Sequence, residues 1–157
     1  MTTATKSSVA RDTIVLERTY RATPDRVFHA WEDVEARTRW SKPWPEMDLV
    51  YDAHDFRVGG TDVSRCGLKG EFNWVAEVQY LDIVRDKRLI FSERMVEDGK
   101  PQSTALVSIE FFAKGKDTLQ IVTIHVLALD GSNMLEGYIG GWNPALDNIA
   151  AELEQVA

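Results

Sequence analysis

Cys66 is the only cysteine, so no internal disulfide is available and a soluble, reducing, cytoplasmic setting is expected. Positive charge is in short supply. Lysine and arginine total 18 against 25 acidic residues, a net charge of −7, so the field of the whole chain repels polyanions and nucleic acid is not expected as a partner. No apolar run is long enough to span a membrane, and the polar start Met1 to Ser8 lacks the apolar core of a signal peptide. Phosphate-binding glycine loops and the Gly-x-Ser-x-Gly elbow are absent, as are internal repeats, low-complexity tracts and any Pro/Ser-rich linker. One unit over residues 1–157 is expected, with residues 1–11 as an N-terminal arm, and the length suffices for a substantial core.

Periodicity supplies the elements that are present. Thr13 to Arg21 alternates, with Ile14, Leu16 and Tyr20 on one side, as a strand does. Thr23 then offers a capping oxygen, Pro24 suits the first helical position, and Asp25 complements the helix dipole, which predicts a short helix from Pro24 to about Glu32. A second short helix and a loop follow, because Pro43 and Pro45 prevent a long one. Period two then predicts strands at Met47 to Tyr51, Phe56 to Ser64, Gly70 to Leu81, Lys87 to Val96, Gln102 to Phe112 and Thr118 to Leu129. Gly59-Gly60 marks a bulge or a close backbone approach, while Asp98-Gly99 and Lys114-Gly115 suit tight antiparallel reversals.

The segment Asn133 to Val156 returns to helical spacing. Met134, Tyr138, Trp142, Leu146, Ile149 and Leu153 fall on one face, and Asn133 with Glu136 forms a variant of the capping box. Pro144 removes the hydrogen bond to the Gly140 carbonyl, which predicts a kink or a break at which Asn143 caps a second piece. Such a one-faced helix needs a curved sheet to lie on.

The run from Tyr20 to Trp31, followed by Trp40, Gly59-Gly60, Arg88 to Phe91, Asp117 to Leu119 and Gly141-Trp142, resembles the SRPBCC superfamily. Within it the chain is similar to the domains homologous to the activator of Hsp90 ATPase, over roughly residues 12 to 155. The resemblance implies an α+β, START-like helix-grip fold: a bent antiparallel sheet of about six or seven strands wraps the long C-terminal helix, with two short helices after the first strand. It also implies a cavity between sheet and helix. Members of the superfamily bind lipids, hormones or polyketides, and some catalyse cyclisation or hydration, so function must be argued from the site.

On the strand Lys87 to Val96, period two aligns Leu89, Phe91, Glu93 and Met95. If that face looks inward, Glu93 is a carboxyl among apolar neighbours, raised by desolvation and suited to anchor a ligand or to move protons; pairing with an arginine or a rim position is the alternative. Thr118 to Leu129 aligns Leu119, Ile121, Thr123, His125 and Leu127, and an inward His125 would complete an acid/base pair with Glu93. A slip of one residue reverses either assignment. Phe28, Trp31, Trp40, Trp44, Trp74, Phe91, Met95, Met134 and Tyr138 are candidates for apolar contact with a ligand, ordinary core packing being the alternative for each. Trp142 reads as structural, beside glycines that allow close approach.

Asp52, His54 and Asp55 form the densest group of potential metal ligands, but no further histidine or cysteine is spaced to complete a shell. No metal and no cofactor is expected. Cys66 has no histidine beside it in sequence to serve as its base. The reading favoured is a binding protein for a small hydrophobic molecule. A cyclase- or hydratase-type enzyme using Glu93 and His125, and a chaperone-regulating interaction domain, are the alternatives. An exposed sheet edge is compatible with a homodimer.

Overall fold

The structure, a computed structural model, describes residues 6–155. Along the chain lie β1 (Val9–Tyr20), α1 (Pro24–Glu32), α2 (Val34–Trp40), β2 (Met47–His54), β3 (Thr61–Leu68), β4 (Trp74–Val84), β5 (Arg88–Glu97), β6 (Lys100–Lys114), β7 (Asp117–Leu129) and α3 (Met134–Gln155). The start of the polar leader, residues 1–5, and the final expected helical residue Val156 lie outside the described residues. The expected arm is shorter than residues 1–11, because Val9 to Arg11 already pair with Leu127 to Leu129 in β1.

All seven strands form one antiparallel sheet in the order β1-β7-β6-β5-β4-β3-β2. Strands β2 to β7 are a meander joined by short reversals, and β1 closes against the last of them, Ile14 opposite Ile124. Asp98 and Gly99 both take positive φ, 49° and 77°, which lets two residues turn the chain between β5 and β6. The expected strand from Phe56 to Ser64 begins only at Thr61, since residues 55–60 form a tight loop. Gly60 is required there: a Cβ would stand 2.1 Å from the Asp55 carbonyl oxygen.

Helix α1 starts as its sequence predicts, with Pro24 in the first turn and Val27, Phe28, Ala30 and Trp31 buried. Thr23 does not cap it through its side chain; the hydroxyl donates instead to the Asp25 carboxylate. Asp33 does cap α2, accepting from the Ala36 N–H at 3.2 Å. Helix α3 runs without interruption through Pro144, so the expected break is not present. Asn143 caps nothing; its side-chain amide donates to the Ile139 carbonyl at 3.2 Å and its oxygen accepts from Arg18 at 2.8 Å. The buried rows of β5, β6 and β7 meet Leu146, Ile149 and Leu153 of α3 and Val27, Phe28 and Trp31 of α1 in a continuous core.

Candidate functional site

Beside that core, between β2 to β5 and the first half of α3, lies a space of about 400 Å³. It is within the size range of small-molecule sites. All five tryptophans of the chain line it: Trp31 from α1, Trp40 from α2, Trp44 from the loop after α2, Trp74 from β4 and Trp142 from α3. Trp44, 51% exposed, stands at the rim. Trp31 and Trp40 are held by their indole N–H groups, which donate to Gln120 Oε1 at 2.9 Å and to the Ala30 carbonyl at 2.8 Å. The rings cross-pack, Trp31 lying 4.6 Å from Trp40 and 6.1 Å from Trp142 between centroids.

Strand β5 supplies Phe91, Glu93 and Met95, consistent with the inward row that period two suggests. Glu93 is flanked by Val78 on β4 and Ala105 on β6 and faces Tyr138 of α3. Burial pushes its carboxyl above the ordinary value of 4.5, against smaller opposing influences from Tyr138 and Arg37. The Tyr138 hydroxyl is close enough to feel Glu93 and Ser103 but completes no hydrogen bond, and burial raises it too. Cys66, also in the lining, is held as a thiol by burial and by the neighbouring Glu93.

Arg37 is the lining's buried cation, and its charge is already engaged. Burial opposes that charge, yet Tyr51, Tyr80 and Asp62 outweigh it and hold the guanidinium above its usual range. Nη1 donates to the Trp31 carbonyl and to the Tyr80 hydroxyl, each at 3.1 Å, and Nη2 lies 3.6 Å from Asp62. The guanidinium carbon sits 5.2, 5.5 and 5.7 Å from the ring centres of Trp31, Trp40 and Tyr51. Beneath it, Asp62 also accepts from Tyr80 and meets His54 Nδ1 at 2.8 Å, while His54 Nε2 donates to the Glu32 carbonyl at 2.9 Å. Within this network the buried Arg37 Nε has no partner among the described residues.

Of the residues chosen from sequence, the structure brings Trp31, Trp40, Trp44, Trp74, Phe91, Glu93, Met95, Met134 and Tyr138 to this space. Phe28 is elsewhere, in the core with edge contacts to Phe56 and Phe111 at 5.8 Å each. His125 is on the outer, exposed side of the sheet, where Nδ1 meets the Thr13 hydroxyl at 3.2 Å. The inward row of β7 is Thr118, Gln120, Val122, Ile124, Val126 and Ala128, so His125 and Glu93 do not share a cavity and form no acid/base pair. Asp52 and His54, which a regular strand would place on one face, do not share one. A register shift between Tyr51 and Ala53 separates them, leaving Asp52 outside against Arg65 at 2.6 Å.

Sequence reasoning missed Arg37, Tyr51, Ser64, Gly137 and Gly141, and read Trp142 as structural. Gly140 and Gly141 are not points of close approach. A Cβ at Gly141 would meet nothing within 4 Å, and the missing side chain is part of what keeps the space open. Glycine spacing was the available signal: Gly137 and Gly141 are one helical turn apart, on the side of Tyr138 and Trp142. A second depression, of about 360 Å³ and bordered by Arg39, Lys42 and Glu152, lies against the other side of the Pro43-Trp44-Pro45 loop and is more polar.

A curved antiparallel sheet that grips a long C-terminal helix defines a START-like, helix-grip domain. A family profile, activator of Hsp90 ATPase homolog 1-like protein, matches residues 21–154, and the chain belongs to that family. Among solved structures it is similar to the Mll3558 protein of Rhizobium loti, with 36% identity, a TM-score of 0.83, and coverage of 93% of this chain and 99% of that one. An uncharacterised protein of Rhizobium leguminosarum matches with 30% identity and a TM-score of 0.83, covering 94% of this chain and 97% of that one. Protein CV1439 of Chromobacterium violaceum matches with 26% identity and a TM-score of 0.76, covering 90% of this chain and 96% of that one. A comparison with curated proteins found no significant match. Among the described residues no helix is long and apolar enough to cross a membrane.

Proposed function

We propose that this protein binds a small, largely apolar molecule in the space between β2 to β5 and α3. The observation that carries the reading is the convergence of all five tryptophans, from five separate places in the chain, on one space of about 400 Å³. A core alone does not need that arrangement. Large aromatics stabilise a core by filling it, whereas these surround a volume that ordinary packing would remove. Proton transfer by a Glu93/His125 pair is not proposed, because the two lie on opposite sides of the sheet.

The test uses two helix positions that differ in facing. Gly141 lines the space and Gly140 does not, yet a Cβ at either meets nothing within 4 Å. Native mass spectrometry of protein purified from cells is expected to show a co-purifying small molecule in the wild type and in Gly140→Leu, and none in Gly141→Leu. Equal occupancy in both variants, or none in the wild type together with no tryptophan fluorescence response to hydrophobic probes, overturns the reading.

A further inference from the structure

The charge on the cavity wall points to the chemistry of the occupant. Two ionisable side chains of opposite type face the space from different elements, Arg37 of α2 and Glu93 of β5, with Tyr51, Cys66 and Tyr138 as the other titratable groups of the lining. Arg37 has its counterion and most of its acceptors: Asp62, the Tyr80 hydroxyl and the Trp31 carbonyl surround it, and three aromatic rings cover it. Glu93 has none. Among the described residues it forms no ion pair and no complete hydrogen bond, and its strand neighbours are Phe91, Met95, Val78 and Ala105. A carboxylate set among apolar side chains without a partner is costly to keep, and a group that brings a positive charge to it removes that cost without the carboxyl having to take up a proton.

We propose that the occupant is a compact, ring-bearing molecule with a single protonated amine, its ammonium paired with Glu93 and its apolar body lying among the tryptophans. This rests on the ligand-binding reading above and adds the ligand's charge. Three features of the molecule agree on it. The unmatched group in the wall is acidic, whereas the basic one is already neutralised from below. The lining carries tryptophans and tyrosines beyond the three rings that cover Arg37, and aromatic rings attract cations more strongly once water is excluded. The net charge of −7 draws cations, not anions, toward the protein. An anionic occupant would face the Glu93 carboxyl with no cation free to receive it.

The experiment compares three molecules of one skeleton: phenylbutylamine, phenylbutanol and phenylbutyric acid. Binding to the wild-type protein at neutral pH is followed by tryptophan fluorescence and by calorimetry. The amine is expected to bind about ten-fold more tightly than the alcohol or better, with the acid weakest, and Glu93→Gln is expected to erase the gap between amine and alcohol. Gly141→Leu should abolish binding of both. If the alcohol or the acid binds as tightly as the amine, the ammonium assignment is overturned while the cavity reading stands. If none of the three binds while a co-purified molecule is seen in the wild type, the ammonium assignment alone is overturned; if no co-purified molecule is seen either, both are overturned.

Discussion

The indole N–H of Trp31 donates to Oε1 of Gln120 at 2.9 Å, and both side chains are fully buried. This bond joins α1 to the inner row of β7 and fixes the orientation of a ring that lines the space beside α3. In Gln120→Leu the indole N–H loses its acceptor inside the protein, a loss of about 1 to 3 kcal/mol. Urea denaturation followed by circular dichroism should show that loss, and a midpoint equal to the wild type's would show that the bond contributes nothing.

Asp62 is the centre on which His54, Tyr80 and Arg37 converge. Asp62→Ala leaves Arg37 charged and buried with its main counterion gone, which is expected to cost roughly 3 to 5 kcal/mol. The double variant Asp62→Leu with Arg37→Met removes charge and countercharge together. It should therefore be more stable than the single Asp62→Leu, and a strictly additive result in the cycle completed by the single Arg37→Met would contradict the coupling.

Glu93 makes stability depend on pH with a definite sign. Burial raises its carboxyl above 4.5, so the folded protein holds this proton more tightly than the unfolded chain does. Its contribution is complete below the unfolded value and is lost as pH rises through the folded one. Glu32, whose carboxyl is lowered by its hydrogen bond from Arg85, acts in the opposite sense, so the comparison must be between variants. Glu93→Gln is expected to gain stability relative to wild type as pH is raised from acid to neutral, measured by denaturation across that range. A constant difference between the two proteins would show that Glu93 is not desolvated.

Cys66 reports on the same space. Burial and the adjacent Glu93 disfavour its thiolate, so labelling with a disulfide reagent at neutral pH should be slower than for an exposed cysteine and faster in Glu93→Gln. A molecule bound in the cavity should protect it further. Labelling at the rate of an unfolded control would contradict the placement of Cys66 in the wall.

Gly140 and Gly141 lie in the interior of α3 with open space where a Cβ would be. Alanine at either should stabilise the helix by about 0.5 to 1 kcal/mol, because glycine loses more backbone freedom on folding. Thermal denaturation of the two variants checks this. Destabilisation by Gly141→Ala would mean that the wall at that point is already closed.

Much of the fold is legible in the amino-acid order because it is local. Pro24 and the row Val27, Phe28, Trp31 set α1. Asp98-Gly99 sets a reversal because the pair accepts positive φ at low cost, and the one-faced pattern of α3 requires a sheet to cover it. The inner row of β5 is legible too, since Leu89 and Phe91 are far more apolar than Arg88 and Arg94 on the other side. Where both rows of a strand are apolar, order along the chain gives no preference. In β7 the row with Leu119 and Ile121 looks as suitable for the interior as the row with Gln120 and Val122.

Only the tertiary structure decides that tie, because Gln120 and Thr118 find partners inside, the Trp31 N–H and the Ala22 carbonyl, that their neighbours in sequence cannot reveal. The same holds for the pairing of Arg37 with Asp62 and for the gathering of five tryptophans around one space. Periodicity records which side of an element is apolar. It carries no information about which elements meet across a cavity, since that depends on how far the sheet bends and where α3 comes to rest on it.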